Sequence, residues 1–250
     1  MRLLAVSDIH GNVDAVRRLR DRERNDFDAV VVAGDIGSTA APDILGLLAS
    51  FACPVLYVFG NWDSKLPYDA SFGPNCHHLH LRSVECGGWA FAGFSGLPAH
   101  WGLNPLAAAM EQELRPRRQT ADRAAKRRHA REVQRRNRAS LADVIASSRA
   151  GQKRTIVVTH ERQYRVHEDM PDVPLFLFGH RHGFESATFR GAQFVNVSVL
   201  DDALPPRDDI SLGTYTILEL SSHGIEARPV PLHGRRRATT RQNKPSKRIE

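Results

Sequence analysis

Three short apolar runs near the N-terminus each lead into polar residues, and this repeated pattern is the strongest constraint on the fold. Apolar runs of this length that end at turn residues predict buried strands. Between them, apolar positions at helical spacing predict helices over about 12–24 and 42–51. This βαβαβ order predicts a parallel sheet with helical crossovers. The runs begin at residues 3, 27 and 54, and the polar residues that follow them are Asp8 and His10, Asp35, and Asn61.

The polar residues after the strands form a candidate metal site. Asp8 and His10 are two residues apart, so the alternation of a strand predicts that both side chains point the same way. Open α/β sheets bind ligands at the carboxyl ends of their strands. Two later apolar runs, 154–158 and 174–178, also end in histidines. The predicted ligand set is Asp8, His10, Asp35, Asn61, His160, His180 and His182.

This set contains two carboxylates, four imidazoles and one amide oxygen, which is more than a single ion needs. The mixture suits Mn²⁺, Fe²⁺ or Zn²⁺ better than Mg²⁺ or Ca²⁺, which prefer oxygen ligands. A carboxylate can bridge two ions, and two ions about 3.5–4 Å apart can clamp a phosphorus centre during a displacement. We therefore expect two divalent metal ions.

The remaining segments predict a second sheet and a long helix. Residues 78–85 and 89–94 alternate around two glycines, which predicts a hairpin. Alternating runs over 184–189, 193–200, 214–220 and 225–229 are typical of a second sheet. A helix is predicted over 120–148, with a first part too polar to bury much surface, so we expect it to project from the core.

The positive charge is confined to two segments. The chain has 250 residues and a net charge of +7. Residues 113–138 carry +8 and residues 234–250 carry +6, which leaves −7 for the rest. We predict one domain over 1–233 with a basic helical insertion at about 105–148, followed by a disordered basic tail. Any nucleic-acid contact is therefore expected from the insertion and the tail rather than from the folded body.

The insertion has three interpretations: a solvated arm, a clamp for nucleic-acid phosphates, or an element that binds a protein partner. Eleven cations in residues 113–138 favour salt-dependent attraction to nucleic acid, whereas the absence of aromatic residues there argues against stacking on bases. No apolar run is long enough for a transmembrane helix, and we expect no signal peptide before the Asp8 motif. Three scattered cysteines predict free thiols in a reducing compartment, and hence a cytoplasmic protein without a membrane partner.

Five motifs in this order resemble the calcineurin-like metallophosphoesterase family. The resemblance covers roughly residues 1–230 apart from the basic insertion. It implies a four-layer α/β/β/α sandwich of two mixed sheets with outer helices. The motifs are Asp8-Ile9-His10, Gly34-Asp35, Gly60-Asn61-Trp62-Asp63, His160 and Gly179-His180-Arg181-His182.

The resemblance also implies roles for the ligands. Asp8, His10 and His182 would hold one metal, Asn61, His160 and His180 the other, and Asp35 would bridge them. The implied reaction is hydrolysis of a phosphoester by in-line attack of metal-bound hydroxide. Catalytic roles are expected for Asp35, Asn61 and His160, and substrate contacts for Asn61 and His100.

One position departs from the common family pattern. Many members have a histidine after the asparagine, which is thought to protonate the leaving group, and this chain has Trp62 there. Indole has no proton to donate near pH 7. We therefore expect phosphodiesters with good leaving groups to be better substrates than alkyl monoesters, unless His100 or His167 supplies the proton. The alternative is a weakly active or inactive module of the same fold that binds nucleic acid or a protein partner through its basic arm and tail.

Overall fold

The computed structural model describes residues 1–24, 26–67, 69–96, 123–163, 165–205 and 211–233. The elements before the basic segment are β1 (Arg2–Val6), α1 (Val13–Arg22), β2 (Ala29–Ala33), α2 (Ala41–Ala49), β3 (Val55–Val58), β4 (Cys76–His78), β5 (Ser83–Cys86) and β6 (Trp89–Phe94). Those that follow are α3 (Arg123–Ser147), β7 (Thr155–Thr159), α4 (Val166–Asp169), β8 (Leu175–Phe178), β9 (Phe184–Phe189), β10 (Ala192–Val197), β11 (Thr214–Ser221) and β12 (Gly224–Pro231).

The strands form two six-stranded mixed sheets with helices on their outer faces, which is the four-layer α/β/β/α sandwich. The first sheet has the order β12-β11-β1-β2-β3-β4 and the second β5-β6-β7-β8-β10-β9. In both sheets the central strands run parallel. Their carboxyl ends therefore meet at one edge of each sheet, where loops can assemble a site.

The central strands of the first sheet, β1, β2 and β3, are almost entirely apolar because both of their faces are buried. Leu4 and Val30 face α1 and α2, whereas Leu3 and Val31 pack against the second sheet. A third core lies between the second sheet and helices α3 and α4. Successive side chains of a strand point to opposite faces of the sheet. Because both faces are buried here, a continuous apolar run is required.

Two sequence predictions about strands were wrong. Residues 78–85 are not one strand, because the chain leaves the first sheet after β4 and enters the second sheet at β5. The hairpin around the two glycines does exist, as β5 and β6. Strands β11 and β12 do not join the second sheet, because β11 pairs antiparallel with β1 and extends the first.

The C-terminal end of the basic helix α3 packs against the core. Leu141 and Ile145 are buried against the second sheet, whereas Arg127, Arg128 and Arg131 are exposed. This agrees with a first part that projects from the core. Not every cation is available to a partner, since Arg138 is almost fully buried and its Nε lies 2.8 Å from an Asp169 carboxylate oxygen in α4.

Candidate metal centre

The candidate metal centre lies where the loops after strands of both sheets meet. The backbone N–H groups of Ile9 and His10 donate to the Asp35 carbonyl at 2.8 and 2.9 Å, which joins the loops after β1 and β2. The Gly179 N–H donates to the His160 carbonyl at 2.9 Å, which joins the loops after β7 and β8. These backbone bonds bring polar residues from distant parts of the chain together.

The backbone turns sharply at the candidate ligands. Strand β1 ends at Val6, so Asp8 and His10 lie in a loop and not on the strand. Their proximity therefore comes from the turn and not from strand alternation, which was the wrong reason for a correct juxtaposition. Left-handed backbone is uncommon for residues other than glycine and is concentrated at functional sites. The candidate ligands with positive φ are Asp8 (52°), His10 (51°), Asp35 (54°), His180 (69°) and His182 (56°).

The first candidate group consists of Asp8, His10 and His182, whose ligand atoms all lie within 4.8 Å of one another. Asp8 Oδ1 is 3.4 Å from His182 Nε2 and 3.9 Å from His10 Nε2. The other oxygen of Asp8 accepts hydrogen bonds from the Ser7 hydroxyl at 2.5 Å and the His180 N–H at 2.9 Å. Asp8 is therefore held with Oδ1 directed at the two histidines.

The second candidate group consists of Asp35, His160 and His180, with ligand atoms again within 4.8 Å of one another. Asn61 Oδ1 adds a further oxygen 3.1 Å from His160 Nε2. The structure thus brings together the seven ligands predicted from the sequence, divided between two adjacent groups.

Asp35 lies between the two groups. Its Oδ2 is 3.5 Å from His10 Nε2 in the first group and 3.3 Å from His160 Nε2 in the second. Its Oδ1 accepts a hydrogen bond from the backbone N–H of Trp62 at 2.8 Å. One carboxylate oxygen is therefore shared by both groups.

Two histidine rings are oriented by hydrogen bonds on the side away from the site. His160 Nδ1 lies 2.9 Å from the Ala33 carbonyl, and His10 Nδ1 lies 3.3 Å from Asp201 Oδ2. A ring that donates from Nδ1 presents the lone pair of Nε2 when it is neutral. Both rings therefore direct Nε2 at Asp35.

Asp201 contacts the candidate ligand His10 and was not predicted from the sequence. Its Oδ1 accepts from Asn12 Nδ2 at 2.7 Å and from the Ala203 N–H at 3.0 Å, and its own N–H donates to the Asp8 carbonyl at 3.1 Å. The only signal in the sequence is an acidic pair directly after an apolar run, which is the pattern that identified the candidate ligands.

The carboxylates and histidines at the site shift the pKa values of one another in favour of their charged forms. Burial alone would lower the pKa of His10, but Asp201 and Asp35 outweigh it and raise the pKa to about 9. Burial likewise opposes the charge on His160, yet Asp35 raises the pKa of His160 to about 9. The same two histidines hold the pKa of Asp35 well below its usual range, against the effect of burial. A cation that binds here must therefore displace protons from both histidines.

Two buried atoms at the site have no hydrogen-bond partner within the described ranges: Asp8 Oδ1 and His10 Nε2. An unpaired buried carboxylate oxygen is costly, and buried charges are normally paired or bound to metal. A divalent cation between these atoms would satisfy both. The nitrogen and oxygen donors fit the borderline divalent ions predicted from the sequence.

Gly179 keeps the space next to Asp8 open. A Cβ atom at this position would lie 1.7 Å from Ser7 Oγ and 2.7 Å from Asp8 Oδ2. Any side chain there would displace the carboxylate that belongs to the first group. The glycine is therefore needed for close packing and is more than a turn residue.

The remaining predicted residues have separate positions. Trp62 is 52% exposed, and its ring centroid lies 4.6 Å from that of His10. His167 packs against Phe189 of β9 and belongs to neither candidate group. His100 lies outside the described residues.

The cysteines and the helices were the other features considered in the sequence. Cys53, Cys76 and Cys86 are free thiols. Among the described residues, no helix is both long and apolar enough to cross a bilayer.

Comparison with known proteins gives a family and a fold. The chain resembles the solved structure of TT1561 from Thermus thermophilus (17% identity, 93% of this chain and 99% of that chain, TM-score 0.54). It also resembles GAP50 of Plasmodium, described as the anchor in the inner membrane complex (12% identity, 93% of this chain and 84% of that chain, TM-score 0.51). An archaeal phosphodiesterase has 13% identity over 92% of this chain and 99% of that chain, with a TM-score of 0.44.

No curated protein matches the chain significantly. The profile of the calcineurin-like phosphoesterase superfamily domain, however, matches residues 1–223 and so covers most of the sequence. With the four-layer fold and the two groups of ligands at its strand ends, the chain belongs to the calcineurin-like phosphoesterase superfamily.

Proposed function

We propose that this protein is a dinuclear metal-dependent phosphoesterase that prefers phosphodiesters. The observation that carries the proposal is the position of Asp35 Oδ2, which is 3.5 Å from His10 Nε2 and 3.3 Å from His160 Nε2. An oxygen shared by two groups of ligands is the arrangement that a bridging carboxylate needs.

The residues of each group would hold one divalent cation, with Mn²⁺, Fe²⁺ or Zn²⁺ as the expected ions. When bound, such ions lower the pKa of a water molecule and neutralise charge on the phosphoryl group. The proposed ligands are Asp8, His10 and His182 for one ion, Asn61, His160 and His180 for the other, and Asp35 for both.

The chain's own residues prepare the site for this role. Asp201 and the Ala33 carbonyl hold the two histidine rings in place. The Trp62 N–H fixes Asp35 Oδ1, so that Oδ2 remains directed at both groups. Asn61 also lines a cleft of about 530 Å³ next to the candidate ligands, where it can contact a phosphoryl oxygen, which is the substrate contact predicted from the sequence.

Trp62 favours substrates with good leaving groups, such as activated diesters. General-acid catalysis typically contributes about 10²–10⁴-fold, and an indole cannot supply it near pH 7. Poor leaving groups, such as the alkoxide of an alkyl monoester, need a proton most. Esters with good leaving groups are therefore the expected substrates.

The test is hydrolysis of an aryl phosphodiester and the matching monoester with added Mn²⁺, in wild type and in His180→Ala. We expect metal-dependent turnover that favours the diester and disappears in His180→Ala. His223→Ala is the control, because His223 is exposed in the turn between β11 and β12. Equal rates on glycerol phosphate and the aryl diester would refute the preference for good leaving groups. Absence of turnover in the metal-bound protein would refute the proposal that it is an enzyme.

A second candidate is a binding module that contacts nucleic acid through the basic arm. Arg127, Arg128 and Arg131 are exposed on α3, although Glu132 neutralises part of the charge by binding Arg135. GAP50, which shares the fold, is described as an anchor.

A gel-shift assay with a salt titration tests this candidate. Replacing the three exposed arginines by glutamine should weaken binding and reduce the slope of log affinity against log salt by about 2–3. Arg17→Gln, on the exposed side of α1, is the control. An unchanged slope would exclude the arm, and residues 234–250 would then be tested by truncation.

The cytoplasmic location stays a prediction.

A further inference from the structure

A cleft of about 530 Å³ opens beside the first candidate group. Its walls include ligands of both groups, His10 and Asn61, together with the indole of Trp62. The rest of the lining is small or cationic and includes Ser38, Thr39 and Lys65. Because the cleft contains candidate ligands, a molecule bound there can place a phosphoryl group at the metal centre.

Trp62 is an unusual wall for a solvent-accessible cleft. With Phe189 it is one of two large apolar side chains that are exposed among the described residues, at 52% and 48%. One part of the indole contacts the His10 ring, at 4.6 Å between centroids, and the remainder borders the cleft. An exposed aromatic face next to a reaction centre offers stacking to an aromatic group on the substrate.

The loop that carries Trp62 is held rigidly. Its N–H donates to Asp35 Oδ1 at 2.8 Å, and its carbonyl accepts from the Ser38 hydroxyl at 2.8 Å. Asp63 is fully buried and accepts backbone hydrogen bonds from Gly37 and Gly60, both at 2.7 Å. Because the backbone that carries the indole is fixed in this way, less of the loop has to become ordered when a ligand stacks on the ring.

The cleft also contains a cation. Lys65 borders it and is exposed, and the ion pairs found in the described part of the chain do not include it. The backbone N–H of Lys65 donates to Ser38 Oγ at 3.3 Å, which links the Lys65 backbone to the loop that carries Ser38. An ammonium at this position would attract a negative charge on the part of the ligand that lies away from the phosphoryl group.

We propose that the cleft formed by Trp62 and Lys65 binds the leaving group and selects phosphoesters whose leaving group carries an aromatic ring and a further negative charge. This inference rests on the proposed phosphoesterase function and deepens it. Nucleotides that carry a second phosphate are natural molecules with both features.

Binding of phosphonates tests the proposal without turnover, because their C–P bond is not hydrolysed. The probes are methylphosphonate, phenylphosphonate and 4-carboxyphenylphosphonate, titrated by calorimetry into the metal-loaded protein. We expect phenylphosphonate to bind about three- to tenfold more tightly than methylphosphonate. The added carboxylate should strengthen binding by about another two- to fivefold.

Matched variants assign each preference to its residue. Trp62→Leu should remove the phenyl preference and Trp62→Phe should keep most of it, whereas Phe189→Leu, at the other exposed aromatic, should leave it unchanged. Lys65→Gln should remove the carboxylate preference and Lys65→Arg should keep it, with Lys153→Gln as the control at an exposed lysine outside the cleft.

The outcomes separate this inference from the proposed function. Equal binding of the phenyl and methyl probes, a phenyl preference that persists in Trp62→Leu, or no binding of any probe would overturn the inference. If wild type hydrolyses the aryl diester but shows none of these preferences, the enzyme stands and the cleft assignment fails. If the preferences hold without turnover, the binding preference of the cleft stands, but the hydrolase proposal and with it the leaving-group assignment fail.

Discussion

Replacing Asp201 with asparagine is expected to weaken metal binding although Asp201 belongs to neither group of ligands. Its Oδ2 lies 3.3 Å from His10 Nδ1, and its Oδ1 is fixed by Asn12 Nδ2 at 2.7 Å. Loss of a carboxylate that orients a ligating histidine typically costs about 10–100-fold in metal affinity. This corresponds to about 1.4–2.8 kcal/mol.

The loss should depend on pH in a defined direction. In the metal-free protein, Asp201 helps to raise the pKa of His10 to about 9, so that protons compete with metal at pH 7. Asp201→Asn weakens this competition, which offsets part of the loss at pH 7. At pH 9.5 the histidine is mostly neutral in both proteins, and the full loss appears. We therefore expect a larger difference between wild type and variant at pH 9.5 than at pH 7.

The assay is a Zn²⁺ titration in a chelator buffer at both pH values, with Asp202→Asn as the matched control. Asp202 is the adjacent carboxylate, but it binds Arg18 at 2.6 Å and is not bonded to His10. The control should stay within about threefold of wild type, because its main partner is a partly exposed arginine. Equal effects of the two variants, or a larger loss at pH 7 than at pH 9.5, would refute the reasoning.

Three further predictions concern packing, acid stability and catalysis. Gly179→Ala should weaken metal binding at least about tenfold, measured by the same titration, because its Cβ would displace Asp8. Gly46→Ala is its control, since that Cβ has open space within α2 and should raise the free energy of unfolding by about 1 kcal/mol. Burial, aided by nearby cationic groups, lowers the pKa of His80 to about 3, so stability should fall as pH drops below 6.5. In His80→Gln the slope of unfolding free energy against pH, measured with denaturant between pH 6 and 4.5, should be shallower by about 1.4 kcal/mol per pH unit, and an unchanged slope would contradict this. Trp62→His should raise turnover of an alkyl monoester at least about tenfold by supplying the missing proton, and no gain would count against the leaving-group argument.

The sequence could predict which side chains come together at the candidate site because each of them is marked by a local feature of the chain. Each of them follows an apolar run, and the carboxyl ends of parallel strands necessarily meet at one edge of a sheet. Asp35 and His160 could therefore be placed in one site although 125 positions separate them. The reason offered for Asp8 and His10 was wrong, because left-handed turns leave no signature in hydrophobic periodicity.

Contacts that depend on chain crossings could not be predicted. Asp201 reaches His10 across 191 positions, through a loop that follows β10 and leads toward the first sheet. The placement of β11 beside β1 and the passage from β4 to β5 are likewise tertiary choices, since an alternating strand fits the edge of either sheet. The exposed indole of Trp62 was visible as a departure from a motif, but its position in a cleft with Lys65 was not.

The central claim is that the seven ligands hold two ions, and the number of bound ions tests it most directly. The measurement is equilibrium dialysis of the protein against Mn²⁺, followed by elemental analysis of metal per chain. We predict about two ions per chain in wild type and about one in His182→Ala, which removes a ligand from the first group only. Wild type that binds at most one ion at saturation would contradict the account.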